Sequence, residues 1–279
     1  MIHFITFADS AYQFQASMLR ISLYLSVGRN NFNFKCYTPK DLEALDYNFD
    51  PLVSSHKRGY GLWSWKIPII LDYLNIIPNG DIVWYLDSTI LVLPGFKNVQ
   101  FSAHEKLYIT PNIFDEPLAW SKYANYLPSN YIEYLKNGTV VDAAYIGIQK
   151  DSFVLNFFHA ILNSSWIAKY YLEDDAEIFS ARFISHRHDQ SLISYFIWLN
   201  NISLSMPLTH YLLNNPALYH GRLRKFWSAS TCIIMFNFTM YYINSVLLIF
   251  RFSKNKFKKT IAVPVSLLGL SRFFKTDQN

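Results

Sequence analysis

The chain is poor in several residue types, and each shortage excludes something. Its 279 residues hold only two cysteines, Cys36 and Cys232, which lie far apart. No disulfide framework or zinc knuckle can be built from them, both read as packing residues, and their scarcity suits a reducing compartment. Nine glycines and eleven prolines exclude collagen-like and low-complexity classes. Charged residues reach only 16% against 51% hydrophobic, which excludes intrinsic disorder. No internal repeat is visible. No basic leader precedes the first apolar run, MIHFITF, which reads as a first strand and not as a signal peptide.

What is present is unevenly distributed. From Gly221 onward lie ten Lys/Arg and a single acid, Asp277, whereas the first 220 residues hold 15 basic against 19 acidic residues. The basic pI of about 9.0 therefore belongs to the tail. Within that tail, the 23 residues from Ser228 to Phe250 carry no ionisable charge at neutral pH and are flanked on both sides by basic residues. The run is long enough to span a bilayer, but its symmetric flanks give no orientation. A segment lying in the membrane interface, or a shallow hairpin with Ile261 to Leu270, fits better than a simple span, since anionic lipid attracts the flanking Lys and Arg. The alternative is a buried C-terminal helix of a soluble protein. A nucleic-acid partner is disfavoured because the main part of the chain is net acidic.

The pattern along the chain alternates strands and helices. Strands are expected at Ile2 to Phe7, Phe32 to Tyr37, Asp81 to Val92 (interrupted by Asp87-Ser88-Thr89), Leu107 to Thr110 and Val140 to Ile148. Helices are expected at Tyr12 to Ser26, Trp63 to Leu74, Ser152 to Ser164 and Asp189 to Asn200. This predicts an α/β fold: a Rossmann-like, mostly parallel sheet flanked by helices. Ligands in such sheets bind beyond the carboxyl ends of strands, where the polar triplets after Phe7 and Leu86 fall.

Four stretches hold candidate chemistry. Asp87 sits in the apolar run DIVWYLDSTILV, where an unpaired acid is costly; it is either a turn cap or a carboxylate able to hold a divalent cation. RGYGLWSWK offers glycines for a tight turn, Arg58 and Lys66 as phosphate partners, and Trp63 and Trp65 as stacking faces; the competing reading is an aromatic hinge packed on the core. In HRHDQS, His186 and His188 are two apart and share no helix face, so a helical zinc pair is not expected; Asp189 is either an N-cap or a site acid. HGRLR combines His220 with Arg222 and Arg224; otherwise it is a basic juxtamembrane patch.

DIVWYLDSTILV resembles the metal-binding strand of GT-A glycosyltransferases, especially the glycogenin and lipopolysaccharide-galactosyltransferase family, where it commonly reads YLDSDILV. RGYGLWSWK, that strand and HRHDQSLIS, in this order, resemble bacterial glycosyltransferase-like proteins of surface-polysaccharide clusters. The likeness runs from about Met1 to Arg224. It implies a GT-A domain over 1–225, followed by a membrane-associating tail over 226–279. It implies a nucleotide-sugar donor and a saccharide or lipid-linked acceptor, at the cytoplasmic face of the membrane. Thr6, Phe7, Ala8, Asp9 and Tyr12 are then expected at the base and ribose. Arg58, Lys66, Asp87, Ser88 and Arg222 are expected at the donor, with Arg224 a further diphosphate partner. Asp189 and Gln190 would face the donor sugar as the catalytic pair. Ala143 to Gly147 would line the acceptor side. Asp87 and His220 would hold Mn²⁺ or Mg²⁺. Thr89 stands where the family has a second acid, a departure at the metal motif. The glycogenin-like relatives retain anomeric configuration.

Overall fold

A computed structural model describes residues 1–28, 30–45, 58–101, 106–172, 181–208 and 217–220, with the side chains of 168, 172, 219 and 220 outside the description. The tail, with its 228–250 run, and Arg222 and Arg224 fall outside these residues, as does any structural statement about them. Among the described residues no helix is long and apolar enough to cross a membrane.

The first expected strand forms β1 (Ile2–Phe7), and the chain then winds into helix α1 (Gln13–Ser26) and strand β2 (Asn33–Tyr37). Helix α2 (Pro39–Ala44) follows, opened by a capping box in which Thr38 and Asp41 satisfy each other's amides. Helix α3 (Lys66–Ile76) leads into β3 (Ile82–Leu86), and the Asp87-Ser88-Thr89 triplet turns the chain into β4 (Ile90–Val92). The remaining strands are β5 (Leu107–Tyr108), β6 (Tyr145–Gln149) and β7 (Leu218–His220).

The main sheet has the order β2-β1-β3-β6-β5. β1 is parallel to both β2 and β3, while β6 is antiparallel to β3 and to β5. Four of the five strands therefore run one way and β6 alone is reversed, so the expectation of an α/β, mostly parallel sheet holds. β4 and β7 form a separate antiparallel pair.

Period-two alternation assigns each strand residue to one of two cores. Ile5, Phe7, Val83, Tyr85, Ile146 and Ile148 pack with Ile69, Ile70 and Leu74 of α3. Phe4, Trp84, Leu86 and Tyr145 pack on the other face with Leu19 and Leu23 of α1. Both faces are covered, which is why β1, β3 and β6 are almost uninterrupted apolar runs. α1 also braces the small sheet: the Ser22 hydroxyl accepts from the Val92 amide at 2.9 Å and the Ser26 hydroxyl donates to the Val92 carbonyl at 2.6 Å.

The connections set the location of a ligand crevice. From β1 the chain passes over one face to β2 on one side, then returns over the other face to β3 on the opposite side. The order reverses between β1 and β3, and in open α/β sheets a crevice opens beyond the carboxyl ends at such a reversal. Ala8-Asp9 and Asp87 follow those two ends directly.

Candidate functional site

The segment before α3 has an unusual backbone. Gly59, Tyr60, Gly61, Leu62 and Trp63 have φ of 60°, 50°, 84°, 57° and 61°. Five successive residues wind left-handed, three of them not glycine, at roughly 1–2 kcal/mol each for the non-glycines. Surrounding contacts hold the turn. Leu62 is fully buried, the Trp65 indole donates to the Gly59 carbonyl at 3.0 Å, and the Ser64 hydroxyl donates to the Gly61 carbonyl at 2.7 Å. A Cβ on Gly59 would meet the Trp63 ring at 2.5 Å, so only glycine fits. The turn delivers Trp65 onto Phe7, with ring centroids 4.2 Å apart, and points Lys66 into the sheet end.

Lys66 is the centre of the site. Its side chain is 2% exposed. The ammonium donates to the Ala143 carbonyl at 2.9 Å and to Asp189 Oδ2, and lies 3.6 Å from Asp87 Oδ1. Asp87 is 29% exposed and also accepts from the Tyr85 hydroxyl through Oδ1. Its amide donates to the Ala144 carbonyl at 2.7 Å and its carbonyl accepts from Ile90 at 2.9 Å, which fixes the turn. Three remote stretches thus supply one cluster: the start of α3, the end of β3, and helix α4 (His188–Leu199).

Burial alone favours the neutral amine at Lys66, but the carboxylates of Asp189 and Asp87 outweigh it and hold its pKa above the usual value. For Asp189 burial dominates and raises the pKa, with Lys66 pulling it back and Asp87 adding to the rise. The Tyr85 hydroxyl is pushed well up by burial and by Asp87, so it remains a donor.

Asp189 is not the N-cap that its position before an apolar run allows. Arg187 occupies the cap, without a side-chain capping bond, and Asp189 lies in the first helical turn with its carboxylate turned to Lys66. Gln190 is held at both ends of its amide: it donates to the Val141 carbonyl at 2.7 Å and accepts from Arg187 at 3.2 Å. Arg187 in turn pairs with Asp115 and lies 3.7 Å over the Trp120 ring.

At β1 the expected contacts divide. Thr6, Phe7 and Ala8 bury their side chains, and the Thr6 hydroxyl finds no hydrogen-bond partner among the described residues. Asp9 and Tyr12 are half-buried. The Asp9 carboxylate accepts from the Ala11 amide at 2.9 Å, shaping the turn into α1. Arg58 is exposed and lies 5.7 Å from the Trp63 ring, adding no hydrogen bond to the Lys66 cluster among the described residues. Ser88 is buried in the turn. His220 is brought close in backbone terms, since its Cα pairs with Ile90 at the far side of the Asp87 turn.

Several site residues were not marked by the sequence. Tyr85 was findable, because residues two apart on a strand share a face and Tyr85 precedes Asp87 by two. Asp142, whose charge reaches Lys66 and whose Oδ1 accepts from Ala144 at 3.1 Å, gave no signal. Nor did Arg187, hidden inside a motif read for its histidines and acid. Cys36 is half-buried, and burial followed by Asp41 pushes its thiol up to about 11, in keeping with a packing role.

No family model matches the sequence, and no curated protein matches it. Among the solved structures similar to this chain are glycosyltransferases. One is galactosyltransferase LgtC in complex with donor and acceptor sugar analogs: identity is 14%, the TM-score is 0.45, and the overlay covers 87% of this chain and 95% of that one. A second is a glycosyltransferase involved in glycosylation of the major capsid of PBCV-1, at 10% identity, TM-score 0.42, and 78% and 92% coverage. A third is the bifunctional glycosyltransferase WbbM, at 12% identity and TM-score 0.49, covering 82% of this chain and 47% of that one.

The divalent cation implied by the sequence resemblance meets a poor donor set. Asp87 is the sole carboxylate of its turn, Thr89 supplies a neutral oxygen, and the fixed ammonium of Lys66 stands 3.6 Å from Asp87. Among the described residues no group of three or more His, Cys, Asp or Glu side chains is disposed to hold a metal ion. Of the expected pair only the Asp87 side chain is described, the His220 side chain lying outside the description, and the described side chains around Asp87 do not fit a divalent ion.

Proposed function

We propose that this chain is a glycosyltransferase, moving a sugar from a nucleotide-sugar donor to a saccharide or lipid-linked acceptor in surface-polysaccharide synthesis. The observation that supports it most is the Lys66 ammonium held between Asp87 and Asp189 where the strand order reverses. The ordered sequence motifs point the same way.

In the reaction the anomeric C–O bond breaks and its electron pair leaves with the nucleoside diphosphate. The acceptor oxygen bonds to the anomeric carbon, and its proton passes to the departing diphosphate oxygen on the same face, retaining configuration. Positive charge grows on the sugar and negative charge on the leaving group. Asp189, fixed by Lys66, faces the sugar and stabilises the first; Arg58, and from the sequence resemblance Arg222, are the cations assigned to the second. Asp9 and Tyr12 border base and ribose, and Ser88 lines the turn beneath the donor. Gln190 meets a sugar hydroxyl from an orientation set by Arg187 and the Val141 carbonyl. The backbone of His220 pairs with Ile90. The basic, apolar tail holds the domain against the cytoplasmic face of the membrane, where a lipid-linked acceptor resides.

A thermal-shift screen of nucleoside diphosphates and sugar nucleotides tests this reading, since bound ligand raises apparent stability by mass action. The expected outcome is a shift with one nucleotide class, lost in Asp87→Ala. Folded protein that shifts with none of them contradicts it. Thr89 favours one second reading, a sugar-nucleotide-binding protein without turnover, which would show the shift but release no diphosphate with any acceptor.

A further inference from the structure

We infer that Lys66 is the resident cation of this centre, and that donor binding and turnover need no divalent metal. The second half rests on the glycosyl-transfer reading; the first rests on geometry alone.

A dication at Asp87 would need an open carboxylate, further anionic ligands and no competing cation. Asp87 Oδ1 already accepts from the Tyr85 hydroxyl and faces the Lys66 ammonium at 3.6 Å. The ammonium cannot swing aside. It is pinned by the Ala143 carbonyl and by Asp189, its side chain is 2% exposed, and its backbone is the first residue of α3, anchored by the left-handed turn before it. Its charge lies 4.9 Å from the centre of the buried Tyr85 ring, a further favourable cation site. The two carboxylates in contact with the ammonium sum with it to a single negative charge, and Asp142, the next carboxylate, accepts from the Ala144 amide through Oδ1 at 3.1 Å, whereas a bound dication is ordinarily offered two or more carboxylates of its own. Thr89, two residues after Asp87, supplies none. The cation position is therefore filled by a covalently attached charge, and the turn needs no second acid.

The test uses the full-length protein stripped with EDTA and titrated with MnCl₂, with free Mn²⁺ read from its electron paramagnetic resonance signal, alone and with added UDP or GDP. The wild type is expected to leave the signal at the level of a protein-free blank holding the same nucleotide. Lys66→Met and Lys66→Gln, which remove the charge and expose two carboxylates, are expected to take Mn²⁺ up; the glutamine retains a donor toward Ala143 and Asp189 and guards against misfolding. Release of nucleoside diphosphate from UDP-, GDP- and dTDP-sugars is expected at an equal rate in EDTA and in Mn²⁺. Stoichiometric Mn²⁺ uptake by the wild type, failure of both folded variants to take it up, or release lost in EDTA and restored by Mn²⁺ would each overturn the inference while sparing the glycosyl-transfer reading. Absence of release under both conditions, with the wild type leaving Mn²⁺ free, removes the glycosyl-transfer reading and the inference's second half and leaves the assignment of Lys66 in place.

Discussion

Each of the three central groups stands out because it violates its surroundings. Lys66, Asp87 and Asp189 are charges set in or beside apolar runs, and burial of a charge demands a partner. Sequence alone shows the demand; only the fold shows that the three satisfy one another. His186 is a second buried group with a readable consequence. It is 5% exposed, its Nδ1 accepts from the Lys122 amide at 3.2 Å, and its Nε2 has no hydrogen-bond partner among the described residues. Burial, then His188, Lys122 and Arg58, hold its pKa well below the ordinary 6.5. A histidine depressed in the folded state takes up its proton more readily when unfolded. The stability it contributes is present above the unfolded value and is lost as pH falls below about 6.5 toward the folded value. The melting temperature should therefore drop between neutral pH and mildly acid pH. His186→Asn, which keeps an acceptor for the Lys122 amide, should flatten that drop; an unchanged profile would show that other groups cause it. The residues the sequence did not reveal, Asp142 and Arg187, act through folded neighbours: a charge felt across space and a guanidinium lodged on Trp120. Nothing local to either residue announces such a role.

Elements with strong periodicity were legible to within a few residues, as with β1, β3, α1 and α4, because a buried sheet or helix must display its apolar pattern in the chain. β7 was missed: three residues cannot establish a period, and Leu218–His220 is a strand only because β4 is there to pair with it. The glycines of RGYGLWSWK forecast a tight turn, yet not that Tyr60, Leu62 and Trp63 would join them at positive φ, since local sterics oppose it and tertiary contacts impose it. The sheet has a similar constraint at Gly147. It pairs with Trp84 across β3 and β6, and a Cβ there would lie 2.8 Å from the Trp84 ring and 2.9 Å from Phe101. Gly147→Ala should cost about 1–3 kcal/mol by overpacking, read as a lower denaturant midpoint with an unchanged slope. A neutral substitution would mean that the Trp84 side chain shifts freely.

At the scale of the whole molecule, alternation of strands and helices predicted the α/β class and a sheet running mainly one way. It did not predict that β6 is reversed, because direction within a sheet depends on which edge a returning strand reaches. The crevice between β1 and β3 follows from connectivity, which becomes visible only once the strand order is known. The charge asymmetry between the first 220 residues and the tail is a whole-chain property. If the tail attaches the domain to anionic membrane, deleting residues 226–279 should move the protein from membrane to soluble fractions; a full-length protein already soluble in low, detergent-free salt would contradict that attachment. The central claim is that one ion-paired cluster performs sugar transfer. It is tested most directly by measuring nucleoside diphosphate release from sugar nucleotides, with and without a saccharide acceptor panel, for the wild type and Asp189→Asn. The substitution keeps the volume and removes the charge beside Lys66. The account predicts release by the wild type and a loss on the order of a hundredfold or more in the variant, the scale seen when one transition-state electrostatic contact is removed. Equal release by both folded proteins would contradict it.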